Sequence, residues 1–129
     1  MTIYVALEEG LAVVRGLGPK WTLQTKLEGH RVDCVAIDPA QPQHVLCGTF
    51  DSGLWHSQDA GDTWQTVGAG IGHVAVMAVA ANPLEPTAHG SVLYAGTEPT
   101  ALYRSEDGGA TWRELEALLQ LPSKPSWSF

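Results

Sequence analysis

Short apolar runs alternate with clusters of glycine, proline, asparagine and aspartate along most of the chain. Ile3-Tyr4-Val5-Ala6, Val35-Ala36-Ile37, Val45-Leu46-Cys47, Met77-Ala78-Val79-Ala80-Ala81 and Leu93-Tyr94-Ala95 are such runs, each three to five residues long. Runs of this length, bounded by turn formers, read as β-strands and leave no room for helices. The one exception predicted is a single helical turn over Leu115–Leu121, ahead of Pro122.

The runs recur in a fixed order. Val35-Ala36-Ile37-Asp38-Pro39 is a strand closed by a proline; Val45-Leu46-Cys47-Gly48-Thr49 and Gly53-Leu54-Trp55-His56-Ser57 follow. The same order returns as Met77 to Pro83, Leu93-Tyr94-Ala95-Gly96-Thr97 and Leu102-Tyr103-Arg104-Ser105. Each series ends in one frame, Ser-x-Asp-x-Gly-x-Thr-Trp: Ser57, Asp59, Gly61, Thr63 and Trp64, then Ser105, Asp107, Gly109, Thr111 and Trp112, 48 residues later. A fourth strand comes after each tryptophan, Gln65-Thr66-Val67 and Arg113-Glu114-Leu115. The interval from Pro39 to Pro83 is about four residues short of 48, which assigns four extra residues to the first hairpin loop of the later unit.

An eroded unit precedes these two. Gly10-Leu11, Gly18 and Trp21 fall 43 residues before Gly53-Leu54, Gly61 and Trp64, and nothing ahead of Ile3 supplies a first strand. The reading is a partial β-propeller over 1–129: an eroded blade lacking its innermost strand at 2–29, full blades at 30–72 and 73–121, and a tail at 122–129 leading to a further blade. Four short antiparallel strands per 43–48 residues is the unit of such a fold. The class is therefore all-β, with about three blades. Three blades do not close a ring and leave strand edges and apolar faces open. The ring would be completed by the remaining blades of a longer propeller or by self-association, one chain's tail supplying the missing strand of another.

The frame sits between third and fourth strands, so it is a hairpin turn. Aspartate hydrogen-bonds backbone N–H groups of its own turn, and glycine takes positive φ cheaply. The threonine hydroxyl closes the turn, and tryptophan anchors it in apolar packing. The alternating oxygen ligands of a calcium loop are missing. Turn architecture is expected of Asp59 and Asp107, and neither metal ligation nor catalysis.

These residues resemble the Asp-box, or BNR, repeat of sialidases, xyloglucanases, sortilin-type receptors and photosystem assembly factors. The resemblance runs from residue 2 to about 115. It implies a β-propeller whose boxes lie on the periphery, away from the ligand-binding face. It does not carry over sialidase chemistry, which uses three arginines, because Arg15, Arg31, Arg104 and Arg113 are the only arginines and the last two flank a box.

Composition narrows the partners. Fourteen acidic residues stand against seven Lys and Arg, for a formal net charge of -7, and the basic residues are scattered singly. Nucleic acid and anionic membranes both require concentrated basic faces, so neither is expected as a partner. Residues 1–10 carry no basic stretch ahead of an apolar run, which reads as cytoplasmic rather than secreted. Cys34 and Cys47, on neighbouring strands, are then expected as buried free thiols rather than a cross-strand bridge.

Candidate chemistry is sparse. His30 and His73 are repeat equivalents at the start of innermost strands and, with Arg31, are the candidate ligand-binding residues. Asp33 and Glu8 are the weak catalytic candidates. Glu8, Glu9, Asp51 and Glu98 fall in equivalent loops that open onto one face as an acidic rim. No phosphate loop, nucleophile elbow or paired-cysteine motif occurs. No metal or other cofactor is expected. The function expected is a non-enzymatic BNR-type module that binds a protein, carbohydrate or other small ligand. The alternative is a sialidase-like or other glycoside hydrolase propeller, or a fragment of one.

Overall fold

A computed structural model describes residues 1–116. Over this range eleven strands form three antiparallel sheets. The first holds β1 (Thr2–Leu7), β2 (Gly10–Leu17) and β3 (Lys20–Lys26). The second holds β4 (Val32–Asp38), β5 (Gln41–Thr49), β6 (Leu54–Ser57) and β7 (Gln65–Thr66). The third holds β8 (Ala75–Thr87), β9 (Gly90–Glu98), β10 (Ala101–Ser105) and β11 (Arg113–Glu114). Within each sheet the strands follow one another in chain order, as short turns between antiparallel neighbours require. The all-β, blade-like reading of the sequence holds. The tail at 122–129, and the expected helical turn beyond Glu116, lie outside the described residues.

Strand alternation gives every sheet two faces, and the faces pack sheet on sheet. Leu11 and Val13 of β2 meet Val32 and Cys47 of the second sheet, with Tyr4, Val35 and Trp64 packed around them. Leu46 and Leu54 of the second sheet meet Val76, Leu93, Ala95, Tyr103 and Trp112 of the third. Each fully buried leucine contributes about 1.5–3 kcal/mol of transfer free energy, so these two layers hold the sheets in sequence order.

Polar ties reinforce the layers. The Tyr4 hydroxyl and Arg15 Nη2 both donate to the Ala60 carbonyl at 2.9 Å, and Arg15 Nη2 also reaches Asp62 Oδ1 at 2.8 Å. Between the second and third sheets, buried Asp38 accepts from the Ser91 amide at 3.0 Å and the Ser91 hydroxyl at 2.6 Å.

Two features differ from the sequence reading. The extra residues of the third sheet do not lengthen a loop. β8 runs for 13 residues through Pro83 and Pro86, and only Ala88 and His89 separate it from β9. The surplus is absorbed by a register shift between Asn82 and Pro86. There Asn82 Oδ1 accepts from the Leu84 amide at 3.1 Å, and its side-chain NH₂ donates to Glu85 at 2.8 Å. A proline interrupts pairing only where its missing N–H was needed, and a bulge supplies such a place. The fourth strands are also shorter than expected, at two residues each, although the Val67 and Leu115 amides still donate to the Leu54 and Leu102 carbonyls.

Candidate functional site

The two Ser-x-Asp-x-Gly-x-Thr-Trp segments make nearly the same set of bonds. Ser57 Oγ donates to Asp59 Oδ1 at 2.7 Å and accepts from the Gly61 amide at 2.8 Å. Asp59 also accepts from the Thr63 amide at 2.8 Å and the Thr63 hydroxyl at 2.5 Å, and Trp64 Nε1 donates to the Gly61 carbonyl at 2.9 Å. Ser105, Asp107, Gly109, Thr111 and Trp112 repeat this, with the Thr111 hydroxyl donating to Asp107 Oδ2. Hydrogen bonds from the serine and threonine hydroxyls hold the Asp59 carboxyl far below the usual carboxylate range; the Thr111 hydroxyl is the first cause of a lowering at Asp107. Both oxygens of each carboxylate are committed inside the turn, which leaves poor nucleophiles and poor acids.

Antiparallel alternation puts the β1–β2, β5–β6 and β9–β10 hairpins at the end of the sheets opposite the box turns. The segments linking one sheet to the next return to that same end. Backbone hydrogen bonds stitch them together: the Gly29 amide donates to Glu9 O at 3.0 Å, Phe50 to Arg31 O at 3.0 Å and Gly53 to Val74 O at 2.8 Å. Glu8 and Glu9 are exposed at one hairpin tip, Asp51 at the next and Glu98 at the edge of the third.

In the middle of this end Arg31 lies over the Phe50 ring, its guanidinium carbon 4.7 Å from the ring centroid, and donates from Nε to Asp33 Oδ1 at 3.0 Å. Asp33 Oδ2 is buried and, among the described residues, has no hydrogen-bond partner. His30 stands beside Ser52 (Nδ1 to Oγ, 3.0 Å) and Asp51 (3.7 Å), and its ring tilts against Trp55 at 5.4 Å. Ser52 is a hub: its hydroxyl also accepts from Trp55 Nε1 at 3.1 Å and meets Thr49 Oγ1 at 2.9 Å. His73 lines a cavity of about 190 Å³ between the second sheet and the segment that leads from it to the third, whose wall includes Ser52 and Gly53. Thus His30 meets Asp51 and Arg31 meets Asp33, while His73 shares a cavity wall with Ser52. Sequence reading named neither Ser52, Trp55 nor Phe50 as site residues. Their signal was the hairpin between β5 and β6, whose tip must lie beside the segment that starts β4.

A second cluster was missed entirely. His44 Nε2 and His56 Nδ1 are 2.9 Å apart and buried. The pair lines a cavity of about 290 Å³ at the box end, together with Gln41, Gln58 and His89. One shared proton links the two rings, and burial pushes the pKa of each below the usual imidazole value. The period-2 rule could have revealed it: His44 and Leu46 share a face, and Leu46 pairs with His56. Among the described residues no group of three or more His, Cys, Asp or Glu side chains is placed to hold a metal ion, and no helix is long and apolar enough to cross a membrane.

Cys34 and Cys47 are free thiols. Cys34 pairs with Gly48 and Val35 with Cys47, so the two cysteines project from opposite faces. Burial raises both thiols, Cys34 to about 11 and Cys47 further, which keeps them protonated and unreactive.

No family model matches the chain, and no curated protein does. Solved β-propellers do. The protein YCF48, in a structure bound to a D1 peptide, superposes with a TM-score of 0.65 at 18% identity over 88% of this chain. A GH74 xyloglucanase from Xanthomonas campestris gives 0.65 at 26% identity, again over 88%. The chain spans 37% and 21% of the lengths of these two structures.

Proposed function

We propose that this chain is a non-enzymatic binding module of the Asp-box propeller kind, which takes a peptide on the end opposite its boxes. The observation that carries the reading is the stitched loop surface. The Arg31–Phe50 stack offers a flat face for an aromatic or amide group, and Glu8, Glu9 and Asp51, exposed at the same end of the sheets, favour cationic side chains. The peptide in the YCF48 structure supports the class of ligand. Further blades, from a longer chain or a second copy, would complete the ring around this surface.

The test is calorimetric titration with an octapeptide of alternating lysine and tyrosine, against its glutamate–tyrosine counterpart. Saturable binding of the first and not the second is expected, weakened about three- to tenfold by Asp51→Asn, since a rim charge contributes about 1 kcal/mol. Equal binding of both peptides, or of neither, overturns the reading.

A second reading rests on Asp33, whose Oδ2 is buried without a partner, and on the xyloglucanase likeness. Release of reducing ends from xyloglucan, abolished by Asp33→Asn, would establish a glycoside hydrolase in place of the binding module.

A further inference from the structure

Each contact between sheets uses equivalent positions, and among the described residues one copy of each half is unused. A leucine marks the leading face. Leu11 is 0% exposed against the second sheet and Leu54 2% exposed against the third. Leu102, their repeat equivalent, shares the far face of the third sheet with Tyr94 and Arg104 and is only half-buried. A tryptophan marks the trailing face. Trp112 is 5% exposed within the layer between second and third sheets, and Trp64 packs into the layer before it. Trp21, the third of the series, lies over Gly16 on the outer face of the first sheet and is 54% exposed. Leu23 beside it is 66% exposed, and Ile3, Val5 and Val14 complete that face.

The joints also share a knob and a socket. Tyr4 stands opposite Val13, two residues beyond Leu11, and its ring presses on Gly61. Leu46 stands opposite His56, two beyond Leu54, and reaches Gly109. Tyr94 holds the same place opposite Arg104, two beyond Leu102. Within the described chain it faces no third glycine, whereas Gly18, equivalent to Gly61, sits on the open first sheet.

We propose that the far face of the third sheet seats on the outer face of the first sheet of a second copy. Tyr94 then meets the Gly18 turn, and Leu102 is covered beside Trp21. Made twice, this head-to-tail contact closes two copies into a ring of six sheets, within the roughly four to eight that propellers use. The proposal rests on the reading that further blades complete the ring, and it is independent of the peptide reading, because it concerns mass and not ligand.

Sedimentation at micromolar concentration is expected to give twice the chain mass of 13.8 kDa. Leu23→Arg and Leu102→Arg should each give single chains with an unchanged circular dichroism spectrum. Should Leu102→Arg fail to fold, Ala80→Arg, exposed on the same face, takes its place. Mixing a first-sheet variant with a third-sheet variant should restore a two-chain species, because one intact joint remains. Wild-type protein at 13.8 kDa, a ladder of larger masses, doubled mass in either variant, or a mixture that stays single would each overturn the proposal. Doubled mass without peptide binding would remove the ligand reading alone.

Discussion

At the scale of single residues the polar interior carries the clearest consequences. Asp38 holds the Ser91 amide and hydroxyl across the second and third sheets, and its own turn through the Ala40 amide at 2.9 Å. Asp38→Ala leaves the buried Ser91 N–H without an acceptor, which costs about 2–3 kcal/mol; urea unfolding should show it as a lower midpoint at unchanged slope. The His44–His56 pair sets a pH dependence. Both rings titrate below the unfolded value of about 6.5, so the unfolded chain binds more protons in the window beneath it. Stability should be full above about pH 6.5 and fall as the pH drops below that value. Melting temperatures measured from pH 7.5 to pH 5 should decline in the wild type and flatten in His44→Gln/His56→Leu. Little of this was legible in the sequence. Period-2 alternation puts His44 and His56 on one face only once β5 and β6 are set in register, and Asp38 finds Ser91 across 53 positions of chain.

At the scale of elements the repeat made much of the fold legible. The strands announced themselves as short apolar runs, and their order within a sheet followed from turns too short to allow anything but neighbours. What escaped was local. Pro83 read as a stop, yet β8 continues past it, because an Asn82-centred bulge removes the need for the N–H that proline lacks. At the end opposite the boxes the sequence pointed to His30 and Arg31 but not to Ser52 or Phe50, since nothing along the chain says which loop a linking segment will touch. The socket glycines give a direct test of element packing. Gly61 has φ of 94°, and a methyl there would lie 2.8 Å from the Tyr4 ring. Gly61→Ala should cost about 1–3 kcal/mol through backbone strain and overpacking. Gly68→Ala, where nothing lies within 4 Å, should be close to neutral in the same denaturant titration.

At the scale of the whole molecule the three sheets form two closed joints and, among the described residues, leave two open halves. If the halves meet between copies, unfolding becomes a mass-action process. Each tenfold rise in protein concentration then adds about 1.4 kcal/mol to the stability of the pair. Scanning calorimetry should show a melting temperature that climbs with concentration in the wild type and stands still in Leu23→Arg. The joint itself has one more consequence. Because every sheet presents a large apolar or aromatic knob at the equivalent place ahead and a glycine socket behind, a unit duplicated between Val67 and Val74 would meet a matching half on both sides. Chains of this type can therefore grow or shrink by whole units during descent, each new length inheriting working seams from its parent, and the number of sheets becomes a trait that changes in single steps.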